Sequence, residues 1–336
     1  MTVTGVPDLP DDYERVMILS TARHHGRGPQ RLPDRTDRGS AVAAIQVETN
    51  DEAARVLRAL DRPGRRFYLD VERKQDIDLL ATARSVVREG SYAVVKPNDI
   101  TVDALEAVLG EMRDEDASEH SIAVFGTGNL GFKIALRLAE RGARVYLYGR
   151  DATKSERLAA ALNEILPPHT SHEVCADGRS DLVDVLISAV AADGVIGPEW
   201  LERLRGSALC IDVGINNFTA EFIEGALTAH HSMTRLDVRS AGDPLPAEPN
   251  PFFDQIAGRL EFDNGITAVA GGYVGRYGEV VLDRITPPVR VIGVANGTGG
   301  LLPANQWPAS FENSVRYVNA RLAETELPSG AEEGHE

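Results

Sequence analysis

Gly126, Gly128 and Gly131 stand at G-x-G-x-x-G spacing and have the means to do chemistry with backbone alone. Gly126 allows a tight turn out of a strand. Gly128 lacks a side chain, so a pyrophosphate can approach the main chain. Gly131 lets a following helix pack closely on that strand. The free N–H groups and positive dipole end of the helix then attract phosphate charge. Thr127, Asn129 and Leu130 complete the turn. The chemistry implied is the binding of a dinucleotide.

Such a turn needs elements around it. Residues 121–151 read SIAVFGTGNLGFKIALRLAERGARVYLYGRD. The apolar run 122–125 predicts a parallel strand buried on both faces. Leu130, Ile134 and Leu138 recur every four residues and predict one apolar helix face. Gly142 ends that helix, and 145–148 predicts a second strand. The glycine spacing alone is weak, because ordinary βα turns also use glycine. The flanking strands and helix make it specific. Past the second strand come Arg150 and Asp151, with Lys154 close behind. Arg150 can offer a planar fork to a 2′-phosphate, which favours NADP. Asp151 keeps NAD open, since an acid there can bind ribose hydroxyls.

The 336 residues suffice for two domains. A formal net charge of -16 argues against nucleic acid or an anionic membrane as partner. No apolar run reaches membrane-span length. The first residues have neither the basic start nor the apolar core of a secretory signal, so a cytoplasmic location is expected. Cys175 and Cys210 form no metal-ligand pattern, and the pairs His24-His25 and His230-His231 have poor chelating geometry; no metal is expected.

Along the chain, 16–19 predicts a short strand, and the arginine-rich 21–40 predicts a loop, either solvated or an anion-attracting flap. A βα rhythm follows. Strands are expected at 41–47, 66–71 and 92–95, with helices at 51–60, 76–88 and 101–112. Asn50 or Asp51 is the expected cap of the first of these helices, and Asn98 or Asp99 that of the third. Residues 113–120 read as a charged link. Beyond 151, a helix is expected at 155–165, strands at 172–175, 184–190, 208–213, 233–238, 266–273 and 289–294, and a helix at 199–204. Residues 241–262 read as an inserted loop, 311–323 as a terminal helix and 327–336 as a disordered tail.

Three runs resemble methylenetetrahydrofolate dehydrogenase/cyclohydrolase: DVLISAV at 184–190, IDVGIN at 211–216 and ITAVAGGYVG at 266–275. The phosphate turn and Gly149-Arg150-Asp151 are more similar to shikimate dehydrogenase. The resemblance implies an α/β architecture: an N-terminal α/β substrate domain (1–117), a doubly wound Rossmann domain (118–304) and a C-terminal helix (305–327) returning to the first domain. It places Ala189, Val190, Gly214, Asn216, Gly271 and Gly272 beside the cofactor. A homodimer is implied as well.

The chemistry is then expected in the N-terminal third. Lys74 matches the catalytic lysine of the folate enzymes, with Asp70 where they have tyrosine. Lys96-Pro97-Asn98-Asp99 loosely resembles the shikimate enzymes' stretch whose aspartate pairs with a catalytic lysine. Asp70, Lys74, Lys96 and Asp99 all follow expected strand ends, where open α/β sheets bind ligands. The reading is an NAD(P)-dependent dehydrogenase or reductase of a small polar substrate, with Lys74 carrying the proton. The alternatives are a shikimate dehydrogenase-like alcohol oxidoreductase, a cyclohydrolase-type hydrolase, and a non-catalytic dinucleotide sensor.

Overall fold

In a computed structural model, the structure describes residues 6–10, 12–21, 26–37, 39–72, 76–112, 117–170, 172–176, 181–242, 245–246 and 252–326. The chain forms two compact units, Met1–Leu245 and Pro246–Glu336.

The first unit holds two five-stranded sheets. The first comprises β1 (Arg15–Ser20), β2 (Gln30–Asp37), β3 (Ser40–Val47), β4 (Arg66–Asp70) and β5 (Ser91–Val95). Their order is β2-β3-β1-β4-β5. All neighbours are parallel except β2 with β3. Helices α1 (Asn50–Leu60) and α2 (Leu79–Val86) bury Val56, Leu57, Leu79 and Ala83 against Ile18, Ile45 and Phe67 on one face. Two expectations need correction. Residues 30–37 of the arginine-rich stretch are a strand, not a loop: Leu32 packs against the core on the other face, and β2 covers hydrogen-bonding groups that β3 would otherwise expose. Residues 22–25, also in that stretch, lie outside the described residues. The cap of α1 is Thr49, which accepts from Glu52 N, rather than Asn50 or Asp51.

Helix α3 (Pro97–Met112) starts four residues earlier than expected, so Asn98 and Asp99 lie inside its first turn. It joins the two sheets. Ile100 packs on the first sheet with Met17 and Tyr68, while Val102, Leu105 and Leu109 pack with Ile122, Val124 and Ile134 of the second. This shared helix gives the two sheets of the first unit a common packing surface.

The second sheet comprises β6 (Ser121–Phe125), β7 (Arg144–Tyr148), β8 (Val183–Ser188), β9 (Leu204–Asp212) and β10 (Ser232–Arg235), all parallel, in the order β10-β9-β8-β6-β7. Cys175 adds one parallel bridge outside β7, at Tyr146, where a strand at 172–175 was expected. Counting it, the order is the doubly wound 3-2-1-4-5-6. Helix α4 (Asn129–Glu140) follows β6, α5 (Ala152–Ile165) follows β7, and α6 (Ala220–Thr228) precedes β10. The helix expected at 199–204 is a 3-10 segment, Pro198–Arg203.

The second unit is built on a mixed four-stranded sheet of β11 (Gly258–Glu261), β12 (Thr267–Ala270), β13 (Val280–Leu282) and β14 (Val291–Val294). β12 pairs with β11 and β13, so 267–270 belongs to this sheet and not to the dinucleotide sheet. The terminal helix α7 (Ala309–Glu326) buries Val318 and Leu322 on this sheet, beside Ala268, Val280 and Leu282. A small sheet with an apolar face needs such a cover. Among the described residues, no helix is long and apolar enough to cross a membrane.

Candidate functional site

The doubly wound order places the crevice between β6 and β8, outside their carboxyl ends. Its floor is tight. Ala189 N donates to Phe125 O at 2.7 Å, and a Cβ on Gly126 would stand 2.6 Å from Ala189 O. Gly126 has φ 138, open to glycine. On Gly131 a Cβ would meet Gly126 O at 2.0 Å, so helix and strand approach as far as backbone allows. Gly128 is the opposite case. It caps α4 without a side chain, is exposed, and a Cβ there would meet nothing within 4 Å. This turn is therefore bare where a phosphate would rest and closed where it would not, with the first-turn N–H groups of α4 above it. The residues present fit a pyrophosphate.

The loops after β8 and β9 form one wall. Asn217 is fully buried. Its Oδ1 accepts from Ser188 Oγ at 2.8 Å, and its Nδ2 donates to the carbonyls of Val190 (3.1 Å) and Ala192 (2.7 Å). Gly214 fits beside it, since a Cβ there would lie 2.2 Å from Val190 O. Asn216, singled out from sequence, is exposed, with φ 61. The neighbouring Asn217 holds the wall in place.

After β7, Arg150 is exposed and its guanidinium hydrogen-bonds to no described residue. Asp151 caps α5, accepting from Lys154 N at 3.0 Å. Gly271 and Gly272 lie in the second unit, at the turn after β12, with φ 63 and 85. A Cβ on Gly271 would stand 2.4 Å from Ala257 Cα, so packing within that unit accounts for its glycine.

The carboxyl ends of the first sheet carry charge instead. Asp70, at the end of β4, is buried. It accepts from Ser20 N (3.1 Å), Ser20 Oγ (2.7 Å) and Glu72 N (2.8 Å). Lys74 lies outside the described residues. Lys96 is exposed at the end of β5. Asp99 is half-exposed and accepts from Lys133 Nζ at 2.6 Å. Lys133 also donates to Glu72 Oε1 at 2.8 Å, and Glu72 Oε2 accepts from Asn98 N, 2.8 Å away, at the start of α3. Asn98 Nδ2 donates to Asn129 Oδ1 at 2.9 Å. Burial alone would lower the Lys133 ammonium's pKa; its hydrogen bonds to Asp99 and Glu72 outweigh that and raise it, so it stays charged at neutral pH.

The structure thus brings Asp70 and Asp99 to neighbouring strand ends and adds Glu72 and Lys133, which sequence reading missed. The signal for Lys133 was available. Asn129, Lys133 and Arg137 fall at four-residue spacing on a polar face of α4, opposite Asp99, Asp103 and Glu106 of α3. Glu72 had no such pattern.

Residues 121–238 match the family model described as the NAD binding domain of 6-phosphogluconate dehydrogenase. No curated protein matches the chain. Among solved structures, it is similar to the 5-ketofructose reductase of Gluconobacter sp. strain CHM43 (18% identity, TM-score 0.41, 69% of this chain and 89% of that one). It is similar also to the L-tryptophan dehydrogenase from Nostoc punctiforme (17%, 0.38) and to a dipicolinate synthase from Bacillus halodurans (17%, 0.35, 69% of this chain and 77% of that one). The match to the tryptophan dehydrogenase spans 61% of each chain. The glycine turn, the sheet order and the family model agree: residues 121–238 are a nicotinamide-dinucleotide-binding domain.

Proposed function

We propose that the chain is an NADP-dependent dehydrogenase or reductase acting on a small polar substrate at a C–N or C–O carbon. The observation that carries this reading is the bare turn at Gly128, backed by Gly126 and Gly131 and facing charged strand ends of a second sheet. When bound, the coenzyme would give the hydride in reduction or take it in oxidation. The chain's own residues orient and handle the proton. Asp70, which accepts from Ser20 and Glu72, holds the end of β4 in place. Lys74 carries the proton in this reading, and Lys96 and Asp99 border the substrate. The resemblance to the folate and shikimate dehydrogenases supports these roles, and it supports a homodimer.

Arg150 and Asp151 favour NADP over NAD. Asp151 already serves as a helix cap, while Arg150 extends into solvent with its guanidinium available. Titration with NADPH and NADH, followed by tryptophan fluorescence, tests both parts. NADPH should saturate the signal. Arg150→Ala should weaken NADPH roughly tenfold, the loss of one charge-assisted contact, and leave NADH unchanged. Equal weakening of both would reverse the choice of NADP. Absence of saturable binding by either would end the coenzyme reading.

A further inference from the structure

We infer that Lys133 is a positioning residue that ties coenzyme binding on α4 to the acid pair at the carboxyl ends of β4 and β5. The inference rests on the coenzyme reading above. α4 begins at the phosphate turn, and Asn129 and Lys133 lie one helical turn apart on the same face. Both reach across to the first sheet: Asn129 accepts from Asn98, and Lys133 holds Glu72 and Asp99. Glu72 closes the ring by accepting from Asn98 N. Four contacts of 2.6–2.9 Å therefore connect the first turn of α3 and the first two turns of α4 with the segment just past β4.

The remainder of the α3–α4 seam is of another kind. Arg137 pairs with Glu106 and, at 3.5 Å, with Asp103; Arg141 reaches Glu106 at 3.4 Å. These arginines are 42% and 37% exposed; they share Glu106, at 21%, and the second partner of Arg137, Asp103, is 50% exposed. Such pairs hold helices together weakly. At Lys133 the partner Glu72 is only 11% exposed, and one ammonium neutralises two carboxylates. Glu72 N is in turn bound to the anchored Asp70. A helix is stiff over one turn. Phosphate settling on the start of α4 therefore acts through Lys133 on Glu72 and Asp99, and the strand ends that face the substrate become ordered with it.

Hydrogen exchange on the full chain, with and without saturating NADPH or NADH, reads this directly. In the wild type, nucleotide should slow exchange at 126–133 and also at 66–72 and 97–103, each by about threefold or more, a modest local stabilisation. Lys133→Met should keep the slowing at 126–133 and lose it at the two distant segments. Lys133→Arg should retain it. Arg137→Met, from the same seam, should behave as the wild type. Asp99→Asn, at a half-exposed side chain, should lose the effect at 97–103 without threatening the fold. Distant slowing that survives Lys133→Met, that disappears equally in Arg137→Met, or that never occurs in the wild type overturns the inference while leaving the coenzyme site standing. No slowing at 126–133 with either nucleotide overturns both.

Discussion

The two parallel sheets of the first unit finish differently at their carboxyl ends. At its crevice the second presents glycine backbone and one buried carboxamide: Gly126, Gly128, Gly214 and Asn217. The first ends in charged side chains: Asp70, Glu72, Lys96 and Asp99, with Lys133 arriving from the other lobe. One set of ends offers N–H groups to an anion; the other offers acids and ammonium groups to a polar molecule. Phosphate recognition demands bare backbone, so its residues are confined to one short motif. Handling a proton demands side chains whose partners come from wherever the fold supplies them.

The contrast can be broken most strongly at Gly131. A methyl group there would lie 2.0 Å from Gly126 O, backbone that cannot swing aside. Gly131→Ala should abolish nucleotide binding and cost about 3 kcal/mol or more in urea unfolding, the upper range for overpacking. Retained NADPH affinity would mean that close packing of α4 on β6 is not what shapes the site. A smaller effect is expected at the charged ends. Asp70→Asn places an amide N–H₂ against the donors of Ser20 and Glu72 and should cost about 1–3 kcal/mol, with nucleotide affinity nearly unchanged. A parallel fall in affinity would show that the two sets of ends are not separable.

The smallest effect is a division by pH. Burial lowers the pKa of His231, whose Nδ1 accepts from Ala208 N in the second sheet. The unfolded chain then takes up the proton more readily than the folded one. The contribution of neutral His231 is fully present above its ordinary 6.5 and is lost as pH falls through the lower folded value. Lys133 has the opposite sign. Its raised pKa makes the ring's contribution complete below the ordinary 10.5 and lost as pH rises through the higher folded value. The stability gap between wild type and His231→Gln should therefore change as pH falls below 6.5, and that between wild type and Lys133→Met as pH rises past 10.5, on opposite sides of neutrality. A gap between His231→Gln and the wild type that stays constant as pH falls below 6.5 would dismiss the first half.

What could be read from sequence follows from the same contrast. The strand–turn–helix–strand of 121–148 was legible because every local signal agreed: apolar run, glycine spacing, helical period and terminating glycine. The alternating strands and helices of the first sheet were legible for the same reason. Glu72 and Lys133 were not, because their significance lies in meeting each other across 61 residues. The strand β2 was hidden under arginine-rich composition, since an edge strand with one exposed side tolerates polar residues. Residues 266–275 carried a correct strand but no indication of which sheet it would join. The choice between Asn216 and Asn217 depended on which one faced inward after a turn with two successive left-handed residues, Ile215 and Asn216.

Asn217 stitches the backbone after β8 to the backbone after β9 before any ligand arrives. The entropy of ordering those two loops is thus lost during folding and does not oppose association. Whatever rests against that wall meets a surface already rigid, and discrimination there should come from shape rather than from adaptation.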